Sequence, residues 1–477
     1  MEREAEDTEI AMMQQVFDRQ VDWTRTRPAP RLEDRLERLD RLKKLILDHE
    51  NRLCQAISDD FGHRSKVETS VAEISFVLTE IGHAKRHLKK WMAPQNIPTQ
   101  LQFQPGKNRL IPQPLGVVGI ISPWNYPLQL SLAPAIGAFA AGNSVMLKPS
   151  ELVPRFATLL QSIVAETFVP TEFTVTGVEG GIAEAFAALP FDHLMFTGST
   201  RVGRLVAEAA GRNLTPVTLE LGGKSPAIID ASADVAVAAE RIAYGKLLNA
   251  GQTCIAPDYV LIAQDRMDVF ADRLRQSIGR LYGSDPANPD YSSIITERHY
   301  ERLEGLVSEA SAQGARVIQI ASPADPAWKS RRKFPPTLVL GAAPSMKVMQ
   351  EEIFGPVLPV MACESGADAI GHINSGDRPL ALYWFGEDDK ARDDILSGTI
   401  SGGVTINDCL FHFAQGNQPM GGVGASGSGV YHGEWGFNTF SKMKPVFYRS
   451  RFSQLSNLYP PYGRKITFLQ KMMRFLA

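Results

Sequence analysis

From Leu115 to Leu221 the chain alternates short apolar runs with longer amphipathic ones, and few architectures accept that pattern. The candidate strands are VVGII (117–121), SVMLK (144–148), EFTVT (172–176), DHLMF (192–196) and PVTLEL (216–221). Helical periodicity fits 128–140, 154–168, 182–188 and 200–210 between them. Short apolar strands separated by such helices predict a parallel sheet covered on both faces. Sheets of that kind bind ligands outside the carboxyl ends of their strands. The strand-to-helix junctions are therefore where chemistry is expected.

The flanks read differently. Residues 8–91 carry apolar positions at helical spacing, with Gly62 as a stop for the first long helix. The second helix, 68–91, carries His83 and His87 one turn apart. No third metal ligand is evident beside them, so the pair reads as part of a solvated basic face with Lys85, Arg86, Lys89 and Lys90. Prolines then flank alternating segments around the turn PGKN, which reads as an extended hairpin near 95–114 with open edges. After Leu221 a second α/β region is expected, with helices at 233–249 and 266–281. Its strands are expected at 259–263, 316–320, 337–341 and 357–363. A late segment, GFNTFSKMKPVFYRSRF, alternates enough to return as a strand. The final RKITFLQKMMRFLA reads as a basic amphipathic helix packing on its own domain.

At 477 residues the chain exceeds one simple core, so two or three domains are expected. A net charge of -2 with acids and bases intermixed offers no field for nucleic acid or an anionic membrane. No run of eighteen apolar residues predicts a membrane span. Cys54, Cys254, Cys363 and Cys409 form no CxxC pair, which argues against a zinc site or a disulfide framework. No metal site is expected. The acidic, polar N-terminus lacks a secretion pattern, and a cytoplasmic location is the expectation.

The junctions carry the candidate residues. G-x-G-x-x-G is absent from them. Instead TGSTRVG follows the fourth strand, with Gly198 and Gly203 five apart. A helix start there can offer amide N–H groups to a pyrophosphate, or it can simply be capped by Ser199 or Thr200. KPSE places Lys148, Ser150 and Glu151 at the end of the second strand. Glu151 can bind ribose hydroxyls and disfavour a 2′-phosphate, or it can be a first-turn acid behind a Ser150 cap. SPWNYP puts Asn125 just past the first strand, as an oxyanion donor or as a turn residue. Glu220 ends the fifth strand beside Gly222 and Gly223. A carboxylate there is costly unless paired or wet, and in a partly dry cleft it can serve as a base. Cys254, in GQTCIAPDYV, needs to be a thiolate to act. The end of the preceding helix would not help it, whereas the positive charge of a nicotinamide would.

PWNYP, KPSE, FTGSTRVG, LELGGKSP, GQTCIAPDYV, EEIFGPV and PMGGVGASG occur together and in order, over roughly residues 10 to 450. Jointly they resemble the aldehyde dehydrogenase superfamily. IAPDYV and YHGEWGFNTFSKMKPV resemble its class 3 branch, and most of all the bacterial coniferyl-aldehyde type. The resemblance implies an α/β fold with a Rossmann-like cofactor domain (1–94 and 115–221) and an α/β catalytic domain (222–428). A bridging β arm (95–114 and 429–450) and a tail (451–477) complete it, and a homodimer follows from the arm. Cys254 would be the nucleophile, Glu220 the base, and Asn125 with the Cys254 N–H the oxyanion donors. NAD or NADP, with NAD favoured by Glu151, would lie against Ser122, Trp124, Lys148, Ser150, Glu151, Gly198, Ser199, Gly203, Leu221, Glu352 and Phe354. The substrate would be a small-molecule aldehyde, with Tyr126, Leu130, Ile255, Cys409 and Phe411 near the pocket by analogy. Pro134 stands where many relatives outside class 3 carry a proton-relaying lysine. A cysteine-dependent esterase or thioesterase, and a dehydrogenase that acylates coenzyme A, are the rival readings. Against the first, no motif places a histidine near Cys254.

Overall fold

The computed structural model describes residues 2–177, 182–320 and 325–453, with isolated positions beyond. The terminal amphipathic segment, 464–477, lies largely outside the described residues. Five strands form where the apolar runs predict them: Val117–Ile121, Ser144–Lys148, Phe173–Val175, His193–Thr197 and Val217–Glu220. Each runs parallel to its neighbours. Their spatial order is third, second, first, fourth, fifth, so the winding reverses between Val117–Ile121 and His193–Thr197. That reversal opens a crevice at the carboxyl ends of these two strands. A short strand, Gly427–Ser428, returns antiparallel and pairs Gly427 with Glu220. Val117–Ile121, Ser144–Lys148 and His193–Thr197 are buried along their whole length, as helices on both faces require.

The second sheet has seven strands. Tyr259–Ile262, Arg316–Gln319, Thr337–Leu340 and Val357–Ala362 form as expected. Pro226–Ile229, Ala381–Phe385 and Gly403–Ile406 join them without having been anticipated, as do the helices Glu297–Ala312, Gly366–Ser375 and Asp389–Gly398. All of these strands pair in parallel except Arg316–Gln319. The hairpin forms from Gln95–Ile97 and Lys107–Pro114. Its second strand is not left open, because Ser441–Tyr448 pairs with it over its full length. That returning strand starts only at Ser441, since Gly433–Thr439 is helical. Among the described residues, no helix is long and apolar enough to cross a membrane.

The helical layer departs from expectation at three points. Leu32–Phe61 ends at Gly62 as read, with φ of 80°. The next helix is not continuous. Lys66–Thr69 passes through a wide π-helical turn, Ser70–Ser75, into Phe76–Trp91. The bulge turns Glu73 inward, against Arg64 at 2.8 Å. His83 is not on a solvated face: it is buried, its ring 4.4 Å from that of His87 and 5.7 Å from that of Trp91. The backbone of Gly416 and Gly433 closes over it, whereas Arg86, Lys89 and Lys90 are exposed. Finally, the helix after KPSE begins at Pro154, where its periodicity places it, so the reading of Ser150 as its cap fails. Its free N–H groups at Arg155 and Phe156 donate to Asp60, at 3.1 and 2.9 Å, so a distant carboxylate supplies the cap.

Candidate functional site

The strand ends fall in register at the crevice. Ile121 pairs with Lys148 and Phe196, and Thr197 pairs with Glu220. The loops that leave these ends, together with three segments of the second α/β region, enclose a cleft of about 240 Å³. Its lining brings together Trp124, Asn125, Gly198, Ser199, Glu220, Cys254, Glu352 and Phe354. Ser122, Lys148, Ser150, Glu151, Gly203 and Leu221 lie outside that lining. Ser122 is buried, its hydroxyl accepting from Ser131 at 2.7 Å. Ser150 accepts the Leu152 N–H at 3.3 Å. Gly203 and Leu221 pack together so closely that a Cβ at Gly203 would meet the Leu221 side chain at 2.6 Å. Lys148 is buried and reaches Glu151 at 3.0 Å. Burial alone would raise the Glu151 carboxyl, but its own N–H and the Lys148 ammonium bring it below its ordinary range. Ser199 caps the helix Thr200–Arg212, accepting the Val202 N–H at 3.4 Å, and also lines the cleft.

A left-handed turn delivers Cys254. The helix Val235–Leu247 stops two residues short of its predicted end. Asn249, Ala250 and Gly251 follow with φ of 52°, 52° and 75°. Two consecutive non-glycine residues in this region carry strain. At Gly251 a Cβ would stand 2.4 Å from the Gly355 carbonyl, so only glycine lets the turn lie against the segment carrying Glu352 and Phe354. Phe354 also has a positive φ, 51°, and its ring meets Trp124 edge-on at 5.4 Å. At Gly222 a Cβ would come within 2.0 Å of the Glu352 carboxylate.

The electrostatics of the cleft favour uncharged acids. Glu220 is buried, and its Oε1 has no hydrogen-bond partner. Burial lifts its carboxyl well above the usual range. Glu352 is pushed up to about 8 by burial and then by Asp258, and its Oε1 is also unpartnered. Cys254 is partly exposed on the cleft wall. Its thiol is pushed up to about 12 by burial, then by Glu352 and Glu220, against the pull of the Cys254 and Ile255 N–H groups. A raised thiol pKa means little thiolate at neutral pH. Iodoacetamide should therefore label Cys254 slowly at pH 7, and the rate should climb about tenfold per pH unit through pH 9 without levelling. A plateau below pH 9 would show that the thiolate forms unaided.

Thr197, which opens TGSTRVG, lies beside Glu220 with its Oγ1 buried and unpartnered. Two other cleft residues had no sequence signal. His299 and Arg302 enter from the unanticipated helix Glu297–Ala312. His299 thus puts an imidazole in the cleft that no motif announced. Its Nδ1 lies 2.6 Å from Thr296 Oγ1, and burial followed by Arg302 lowers its pKa. Of the pocket residues taken by analogy, Tyr126, Leu130, Ile255 and Cys409 are buried and Phe411 is exposed. Tyr126 Oη meets Thr253 Oγ1 at 2.8 Å, and Cys409 packs on Gly245.

Comparison with known proteins places this geometry in a lineage. The sequence profile described as the aldehyde dehydrogenase family matches residues 3–446. A protein of Caulobacter vibrioides described as a probable coniferyl aldehyde dehydrogenase is 45% identical over 467 residues, 96% of each chain. The coniferyl aldehyde dehydrogenase of a Pseudomonas species is 44% identical over 91% of this chain and 90% of its own. The solved structure of the substrate-bound state of Staphylococcus aureus AldH superposes with a TM-score of 0.91 at 38% identity, covering 97% of this chain and 99% of the other. A match that spans nearly the whole fold and includes the crevice leaves one assignment: the chain belongs to the aldehyde dehydrogenase family and is an NAD(P)-dependent aldehyde dehydrogenase.

Proposed function

We propose that the chain oxidises an aromatic or medium- to long-chain aldehyde, with coniferyl aldehyde the leading case, to its carboxylic acid. The observation that carries this reading is one cleft shared by a thiol, a side-chain amide and a buried carboxyl with a free oxygen. The Cys254 thiolate adds to the carbonyl carbon, and the oxygen becomes an oxyanion. The Asn125 amide and the Cys254 N–H donate to that oxygen. One preorganised donor of this kind is worth about 3 kcal/mol of barrier. After oxidation the acyl group remains on Cys254 as a thioester. Glu220 then takes a proton from water, which releases the acid and restores the thiol.

The residues around the cleft fit a dinucleotide. Glu352 Oε1 and Thr197 Oγ1 are shielded from solvent without partners, and Gly198 and Gly222 leave backbone bare of side chains. The N-terminus of Thr200–Arg212 would take the pyrophosphate, Lys148 and Glu151 the adenosine ribose, and Glu352 the nicotinamide ribose, with Phe354 beside the ring. When bound, the nicotinamide supplies the hydride acceptor. Its positive charge would oppose the rise that burial, then Glu352 and Glu220, impose on the Cys254 thiol.

The substrate class rests on the coniferyl aldehyde enzymes compared above. A panel from propanal through hexanal to cinnamaldehyde and coniferyl aldehyde, followed by nicotinamide absorbance with NAD and NADP separately, tests it. The highest kcat/KM is expected for the phenylpropenals, and a preference for propanal would overturn the assignment. In the same assay Glu151→Ala should raise the NADP-to-NAD activity ratio about tenfold, the loss of one like-charge contact worth about 1.4 kcal/mol. An unchanged ratio would remove Glu151 from the ribose site.

A further inference from the structure

We infer that Asn249 is a positioning residue for the oxyanion donor, acting through the Asn125 main chain. This rests on the reading of Asn125 given above. The Asn249 Nδ2 donates to the carbonyl of Asn125 at 3.0 Å and to that of Gln252 at 3.2 Å. The Asn125 Nδ2 donates to the same Gln252 carbonyl at 3.1 Å, which leaves its second N–H for another acceptor. Arg64 also donates to the Asn125 carbonyl, at 3.1 Å. One amide thus ties the loop carrying the oxyanion donor to the turn carrying the nucleophile.

The second strap runs through the main chain of Asn249. Its N–H donates to the Glu68 carboxylate at 3.2 and 3.3 Å, and Ser292 donates to Glu68 at 2.9 Å. Gln252 is fixed in turn, donating to Asn249 and Ser293 carbonyls at 3.0 Å and accepting the Ile295 N–H at 3.0 Å.

Stability alone does not account for these groups. Asn249 is fully buried in a left-handed conformation, and its Oδ1 has no donor. Arg64 is fully buried against Glu73, with Nε and Nη2 unpartnered. Buried orphan groups and buried ion pairs commonly cost stability relative to apolar packing. What this arrangement does provide is a hydrogen-bonded link between the Asn125 main chain and the turn that leads into Cys254.

Asn249→Gly isolates the side chain, because glycine adopts the left-handed turn freely. Aldehyde oxidation and p-nitrophenyl acetate hydrolysis should both fall roughly tenfold to hundredfold, the scale of a misplaced catalytic group. Labelling of Cys254 by iodoacetamide needs no oxyanion and should keep its wild-type rate. In an Asn125→Ala background the same substitution should have almost no further effect, because the group it positions is gone. Asn249→Asp, which turns an acceptor toward two carbonyls, should be at least as damaging. Labelling that slows in step with turnover, or a full effect in the Asn125→Ala background, overturns the inference. Wild-type esterase and dehydrogenase rates in Asn125→Ala alone would instead sink the oxyanion reading beneath it.

Discussion

Replacing Cys254 with alanine yields a folded protein that binds dinucleotide and turns over no aldehyde. The thiol is partly exposed on the cleft wall rather than locked in the core, so its removal enlarges an open space and leaves no closed cavity. The melting temperature should stay close to wild type. No neighbour can take over the attack. Cys409 is fully buried, and burial holds its thiol well above the ordinary range. Covalent catalysis then has no nucleophile, and kcat should fall about ten-thousandfold or more. Nicotinamide absorbance at saturating aldehyde gives the rate, and NADH fluorescence titration gives the binding. Full activity would end the assignment of the nucleophile. Lost binding together with a lowered melting temperature would make the defect structural.

The part of this molecule legible in its sequence is the part governed by local periodicity. Of the five strands between Val117 and Glu220, three are buried along their whole length, and the apolar runs of all five, spaced by helices, gave them away. Pro226–Ile229 and Gly403–Ile406 adjoin glycine-rich sequence, which reads as turn rather than strand. Asn125, Glu220 and Cys254 were visible because each ends or follows an element whose place was already known. His299 and Arg302 were not, since they lie on a helix that had no place in the reading. The Asp60 cap and the straps on Asn249 join residues 95 to 181 positions apart, and nothing local encodes such partnerships. Single junction motifs stayed ambiguous for a physical reason: Ser199 both caps its helix and faces the cleft, so two readings of one residue were compatible.

Glu220→Gln separates the two halves of the proposed cycle. Glutamine keeps the shape of the side chain and removes its capacity to take a proton. Formation of the acyl group on Cys254 does not need that capacity, so a stopped-flow burst of NADH near one equivalent of active sites should survive. Release of the acid does need it, and the steady-state rate should fall by about a hundred- to ten-thousandfold, the usual worth of a positioned base. The pH dependence carries the same signature. Burial raises the Glu220 carboxyl, so its basic form is the minor one at neutral pH in the free protein and gains population as pH rises. Wild-type deacylation should therefore accelerate with pH from 6 upward, and the variant should lose that dependence on Glu220. If burst and steady state both match wild type, the proton goes to another group, and the unpartnered oxygen in the cleft wall serves some other purpose. If the burst itself disappears, Glu220 acts before the thioester forms, and the base belongs to the attack on the aldehyde rather than to hydrolysis.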